Sequence, residues 1–63
     1  MADVHYNLGL LLQEQGRLKE ALESYQKAIQ YRPRLAIAHL NLAIVLAQLG
    51  DREQAKRVYR HCA

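Results

Sequence analysis

The 63-residue sequence predicts an all-α protein made of two tandem helix-turn-helix hairpins that stack as a short superhelical solenoid. Three observations predict it. Residues 2–29 slide onto residues 36–63 at one fixed offset of 34 with no gap, and eight of the 28 pairs are identical. Within each copy the apolar residues recur at spacings of three and four, the period of a helix with one buried face. A glycine stands at the same place in both copies, Gly16 and Gly50, where a helix has to stop.

The first helix is expected over 3–15, where Val4, Leu8, Leu11 and Leu12 form one stripe. Gly16 closes it, because glycine accepts the left-handed conformation that ends a helix. The second helix is expected over 18–31, carried by Leu18, Ala21, Leu22, Tyr25, Ala28 and Ile29. Pro33 lacks the donor a helix interior needs and disfavours helical geometry at Arg32, so a break falls there. The third helix, over 36–49, has a packing stripe at Ala38, Leu42, Val45, Leu46 and Leu49. A second apolar face at 37, 40, 44 and 47 makes it apolar nearly all round, which two hairpins alone cannot bury. Gly50 ends it, and Asp51 is placed to cap the fourth helix, over 52–62, with Gln54 as capping-box partner. Ala55, Val58, Tyr59 and Cys62 form the stripe of that last helix.

Composition narrows the function. No run approaches the ~18 apolar residues of a membrane span, so no membrane contact by this segment is expected. Met1-Ala2-Asp3 opens straight into periodic sequence, without the pattern of a signal peptide. The net charge of +3 is modest. Its late cluster, Arg52, Lys56, Arg57 and Arg60, reads as a solvated helix face rather than a nucleic-acid site, because aromatic residues hardly interleave with it. Cys62 is the sole cysteine, so no intrachain disulfide forms, and it leaves the redox compartment unassigned.

Catalysis lacks its parts, and no catalytic residue, cofactor or metal is expected. Ser24, the one serine, lies between Glu23 and Tyr25 without a base on a strained turn. Gly9, Gly16 and Gly50 never cluster into a phosphate loop. Glu20 and Glu23 suit helix ion pairs with Lys19 or Lys27 better than acid–base work. His5 and His39 recur at the repeat offset, but no carboxylate or thiolate completes a metal site, so packing is their expected role.

Leu8-Gly9, Leu12, Gly16, Ala21, Tyr25, Ala28 and Pro33 in the first copy resemble the tetratricopeptide repeat, as do Leu42-Ala43, Leu46, Gly50, Ala55, Tyr59 and Cys62 in the second. The resemblance covers essentially the whole chain as one domain, 1–63, with repeat one at 2–35 and repeat two at 36–63. The closing proline of the second copy would fall past residue 63, which implies a piece of a longer array. His5 and His39 depart from the family, which usually has Trp or another apolar residue there, and so does Cys62, where it has Ala. Arg52 replaces the Leu18 of the first copy, so the last helix should enter less firmly packed. More loosely, Ala38-His39-Leu40-Asn41-Leu42, then Glu53-Gln54-Ala55-Lys56-Arg57 and His61-Cys62, look like repeats of the transmembrane, tetratricopeptide-containing O-mannosyltransferase-like proteins. That likeness would place the segment in the endoplasmic reticulum lumen; nothing else assigns a compartment.

The resemblance implies a non-catalytic protein-interaction scaffold that binds a protein or peptide ligand on a concave face lined by the first helix of each repeat. Asp3, Tyr6, Leu10 and Gln13 would face inward from repeat one, and Ile37, Leu40, Ile44, Ala47 and Gln48 from repeat two. Asn7 and Asn41 would form a two-rung amide ladder for a peptide backbone, although local packing suits them equally. The lysine- and asparagine-rich clamp that holds a C-terminal carboxylate in some relatives draws on three repeats, and Tyr6 and Leu10 fill inner places it needs polar. Val58, Tyr59 and Cys62 would expose an apolar edge, and Val4, Leu8 and Leu11 a matching one, so homo-oligomers of the 63-residue piece are expected.

Overall fold

The computed structural model describes the backbone of residues 1–62 and the side chains of residues 1–60. Four helices follow in order: α1 (Ala2–Glu14), α2 (Leu18–Tyr31), α3 (Ala36–Gln48) and α4 (Arg52–Cys62). α1 packs on α2, α2 on α3 and α3 on α4, the antiparallel succession of two stacked hairpins. The body measures 28 × 26 × 12 Å. No strand occurs among the described residues.

Both hairpin turns are closed by the same hydrogen-bond pair. Gly16 N–H donates to Gln13 O and Arg17 N–H to Leu12 O; 34 residues on, Gly50 N–H donates to Ala47 O and Asp51 N–H to Leu46 O. This double closure needs a left-handed residue, and Gly16 (φ 78°) and Gly50 (φ 93°) supply it. Arg17 and Asp51 serve two helices each, because their carbonyls accept the first bonds of the next helix from Ala21 and Ala55. The glycine is thus the residue after the cap, so α1 and α3 end one residue before the expected limits of 15 and 49, with Gln15 and Leu49 as caps. Asp51 Oδ1 caps α4 by accepting from Gln54 N–H at 3.2 Å. The reciprocal half of the expected capping box does not form, because Asp51 N–H is already given to Leu46 O. Arg32 adopts extended geometry (φ −140°, ψ 86°) ahead of Pro33, which ends α2.

The core is a single cluster of Leu12, Ala21, Tyr25, Leu42, Val45, Leu46 and Ala55, with Tyr6, Leu10, Leu18, Leu22, Ile29 and Val58 packed around it. Tyr25 lies at its centre, fully buried. Its ring rests on Gly9, where a Cβ would come within 2.6 Å of the ring. A closely approaching aromatic, not a turn, therefore explains this mid-helix glycine.

Two stripes differ from expectation. Of Val4, Leu8, Leu11 and Leu12, only Leu12 is buried; α1 seats itself through Ala2, Gly9 and Leu12, and the other three form an open edge. Leu49 is also exposed, because it caps α3 and lies over the first turn of α2 near Gly16 and Leu18. The second apolar face of α3 is as predicted: Ile37, Leu40 and Ala47 are exposed and Ile44 is half-buried.

Candidate protein-interaction groove

The first helices of the two hairpins, α1 and α3, run beside each other and are tied by side-chain bonds between their equivalent faces. Asn41 Nδ2 donates to Tyr6 Oη at 3.2 Å, and Gln13 Nε2 donates to Gln48 Oε1 at 3.4 Å. From beneath, Tyr25 Oη donates to Gln13 Oε1 at 2.7 Å. The buried phenol therefore orients Gln13, which in turn reaches across the groove to Gln48. Tyr6 and Tyr25 meet with ring centroids 5.9 Å apart and tilted. Burial pushes the Tyr25 phenol above its ordinary range, the nearby Asn41 amide works the other way, and Tyr6 adds a small upward push.

Above this network lies an open groove of about 350 Å³, lined by Leu10, Gln13, Glu14, Asn41 and Gln48. Of the residues predicted to face a partner, Leu10, Gln13, Asn41 and Gln48 meet here. Ile37 and Leu40 stand exposed on the same helix, α3. Tyr6 and Asn41 are largely committed to packing and to each other. The expected two-rung ladder of Asn7 and Asn41 does not form: Asn41 is buried against Tyr6, whereas Asn7 is exposed on α1. Identical residues at the repeat offset differ because α3 sits against the preceding hairpin and the same side of α1 faces solvent.

Glu14 was not among the predicted residues. Its signal was present in the charge distribution: all nine Lys and Arg lie in α2, α4 or the connections, and none in α1 or α3. The only formally charged side chains on the two groove-forming helices are Asp3 and Glu14. Asp3 is 4.0 Å from Arg32, both well exposed. Glu14 has no ion-pair partner among the described residues.

The histidines lie away from the groove's lining. The His5 ring stacks on Tyr31 at 5.3 Å, and His39 Nε2 is 2.8 Å from Pro33 O. Among the described residues no group of three or more His, Cys, Asp or Glu could hold a metal ion. Glu20 pairs with Arg17 at 2.7 Å, not with the lysines expected, because Arg17 sits one turn before it at the helix entry. At the far edge, Tyr59 is exposed beside a smaller apolar groove lined by Ala47, Arg52, Ala55 and Lys56, while Val58 is half-buried. The Cys62 side chain lies outside the described residues. No helix among them is long and apolar enough to cross a membrane.

A family model described as TPR repeat matches residues 11–50. The chain is 39% identical over 62 residues to the probable biofilm formation methyltransferase WspC of Pseudomonas putida, and that stretch covers 98% of the chain and 15% of the relative. The corresponding Pseudomonas aeruginosa protein is 40% identical over the same length and share. Protein O-mannosyl-transferase TMTC1 of Homo sapiens is 41% identical over 60 residues, 95% of the chain and 7% of the relative. The likeness to O-mannosyltransferase-type proteins expected from the sequence is thus found, beside an equal likeness to methyltransferases. The chain spans 15% or less of the length of these relatives.

Proposed function

This chain belongs to the tetratricopeptide-repeat family, and from that premise we propose that the groove between α1 and α3 is the docking surface of a non-catalytic scaffold module, which takes a peptide or helix from another protein. Tetratricopeptide repeats are in general protein-interaction modules, and the repeat itself is not a catalytic unit. The observation that carries the reading is the groove walled by Leu10, with Ile37 and Leu40 exposed on α3 and with amides already oriented by Tyr25 and Tyr6. A row of aliphatic side chains flanked by fixed donors and acceptors suits a partner that is apolar on one side and polar along its backbone. The methyltransferase and O-mannosyl-transferase named among the relatives would carry such a module as an accessory part, with their chemistry outside it.

Leu40→Glu tests this. The substitution places a charge on an exposed position, so helicity by circular dichroism should stay within error of the parent. Binding to a peptide ligand selected from a displayed library should fall by at least about tenfold, measured by isothermal titration. Full retention of binding would remove the groove from consideration.

A second reading has its own support. The edge made by Val4, Leu8 and Leu11 and the edge around Tyr59 are both apolar and open. Self-association of the 63-residue polypeptide through these edges is a structural role separate from the groove.

A further inference from the structure

We infer that the groove selects partners presenting a cationic side chain, lysine or arginine, next to apolar residues, with Glu14 as the counter-charge. The inference rests on the groove reading above and adds the chemical class of the ligand. It follows from the one charge the groove lining carries and from the absence of a described cation beside it.

Gln13 is held from two sides: its carbonyl accepts from Tyr25 and one N–H of its amide donates to Gln48. One N–H of the Asn41 amide is given to Tyr6, and the residue is itself buried. Gln48 accepts from Gln13 through its own carbonyl. Glu14 brings two acceptor oxygens and no donor, and no described cation neutralises them. The groove therefore offers neutral amides, one carboxylate as the sole charged group of its lining, and Leu10 as an apolar wall. That combination matches a long cationic side chain, whose methylene stem lies on apolar surface while its head meets the carboxylate.

The distribution of charge over the molecule points the same way. The chain is basic overall, with a net charge of +3, yet α1 and α3 carry no Lys or Arg. Cations are confined to the second helix of each hairpin and to the connections. An acidic ligand would find no counter-charge in the groove and would have to desolvate beside Glu14.

The experiment is an NMR titration of the isotope-labelled chain with an extended peptide alternating lysine and leucine, and with congeners carrying glutamine or glutamate in place of lysine. The lysine peptide should bind about tenfold more tightly than the glutamine peptide, and the glutamate peptide more weakly still. Shift changes should centre on Leu10, Gln13, Glu14, Asn41 and Gln48. Glu14→Gln should abolish most of the lysine preference, and Glu14→Lys should turn it toward the glutamate peptide. Added salt should shrink the preference in the parent alone. If the three peptides bind alike and the neutral Leu40→Gln weakens all of them, the groove stands and the cation inference is overturned. If Leu40→Gln leaves the lysine peptide bound as in the parent, the groove reading fails, and this inference with it.

Discussion

Tyr25 is the side chain on which the two hairpins converge. Its ring fills the space over Gly9 and its hydroxyl sets Gln13, so one residue links the core to the groove surface. The environment that makes it useful also resists its ionisation. Burial favours the neutral phenol, so the folded-state pKa is raised above the ordinary value of 10.0. A raised folded pKa stabilises the fold fully below the unfolded value, and that contribution is lost as pH rises through the folded one. The ionisation of Tyr25 should therefore appear as a late phase in an alkaline titration followed by ultraviolet absorbance. The late phase should coincide with loss of helicity and vanish in Tyr25→Phe. Absence of a late phase, with the helices intact, would show that Tyr25 is not held as described.

At the scale of the helix, the two hairpin turns share one backbone closure but differ in side-chain support. Asp51 accepts from Gln54 N–H, a cap placed where the positive end of the helix dipole favours a carboxylate. Arg17, the residue at the same place in the first turn, makes no such bond and forms instead an exposed ion pair with Glu20. Asp51→Ala should cost about 1 kcal/mol in urea unfolding, whereas Arg17→Ala should cost about 0.5 kcal/mol or less. Equal losses would mean that the backbone closure, and not the cap, supports α4. These turns were legible in the sequence because a glycine at the offset of 34 and a proline after the second helix leave the backbone few options. The bonds Asn41–Tyr6 and Gln13–Gln48 were not legible. Each joins residues 35 apart across two helices, so its existence depends on how far one hairpin is rotated against the other, which no local pattern encodes. Periodicity alone shows that Val4, Leu8 and Leu11 share a face; that the face is a bare edge was legible only from the repeat, which gives α1 no preceding hairpin to stack on.

Over the whole molecule, the internal repeat offers a direct comparison of covered and uncovered surface. Ala38, Leu42 and Val45 of α3 are 0%, 8% and 0% exposed against the preceding hairpin, while Val4, Leu8 and Leu11, their partners at the repeat offset, are 63%, 44% and 51% exposed. At the other end Tyr25 is 0% exposed and its counterpart Tyr59 is 42%. The α2–α3 junction is thus a template for what the two edges would bury if a further hairpin, from the same polypeptide or from another copy, stacked on them. The match between copies is less favourable than the internal one. Leu40 replaces Tyr6 and Ala47 replaces Gln13, so neither Asn41–Tyr6 nor Tyr25–Gln13 has a counterpart there. Association of the free 63-residue polypeptide should accordingly be concentration-dependent and weaker than the internal junction, with head-to-tail geometry. Light scattering over a dilution series should show a mass above 7.3 kDa that falls toward it on dilution. Leu8→Glu combined with Leu11→Glu should give the monomer throughout, because both side chains are already solvent-facing in a single copy. Leu40→Glu should weaken association as well, because Leu40 holds the place of Tyr6 at the outer edge of α3. A parent chain that stays monomeric at high concentration with full helicity would show that these open edges do not recognise each other.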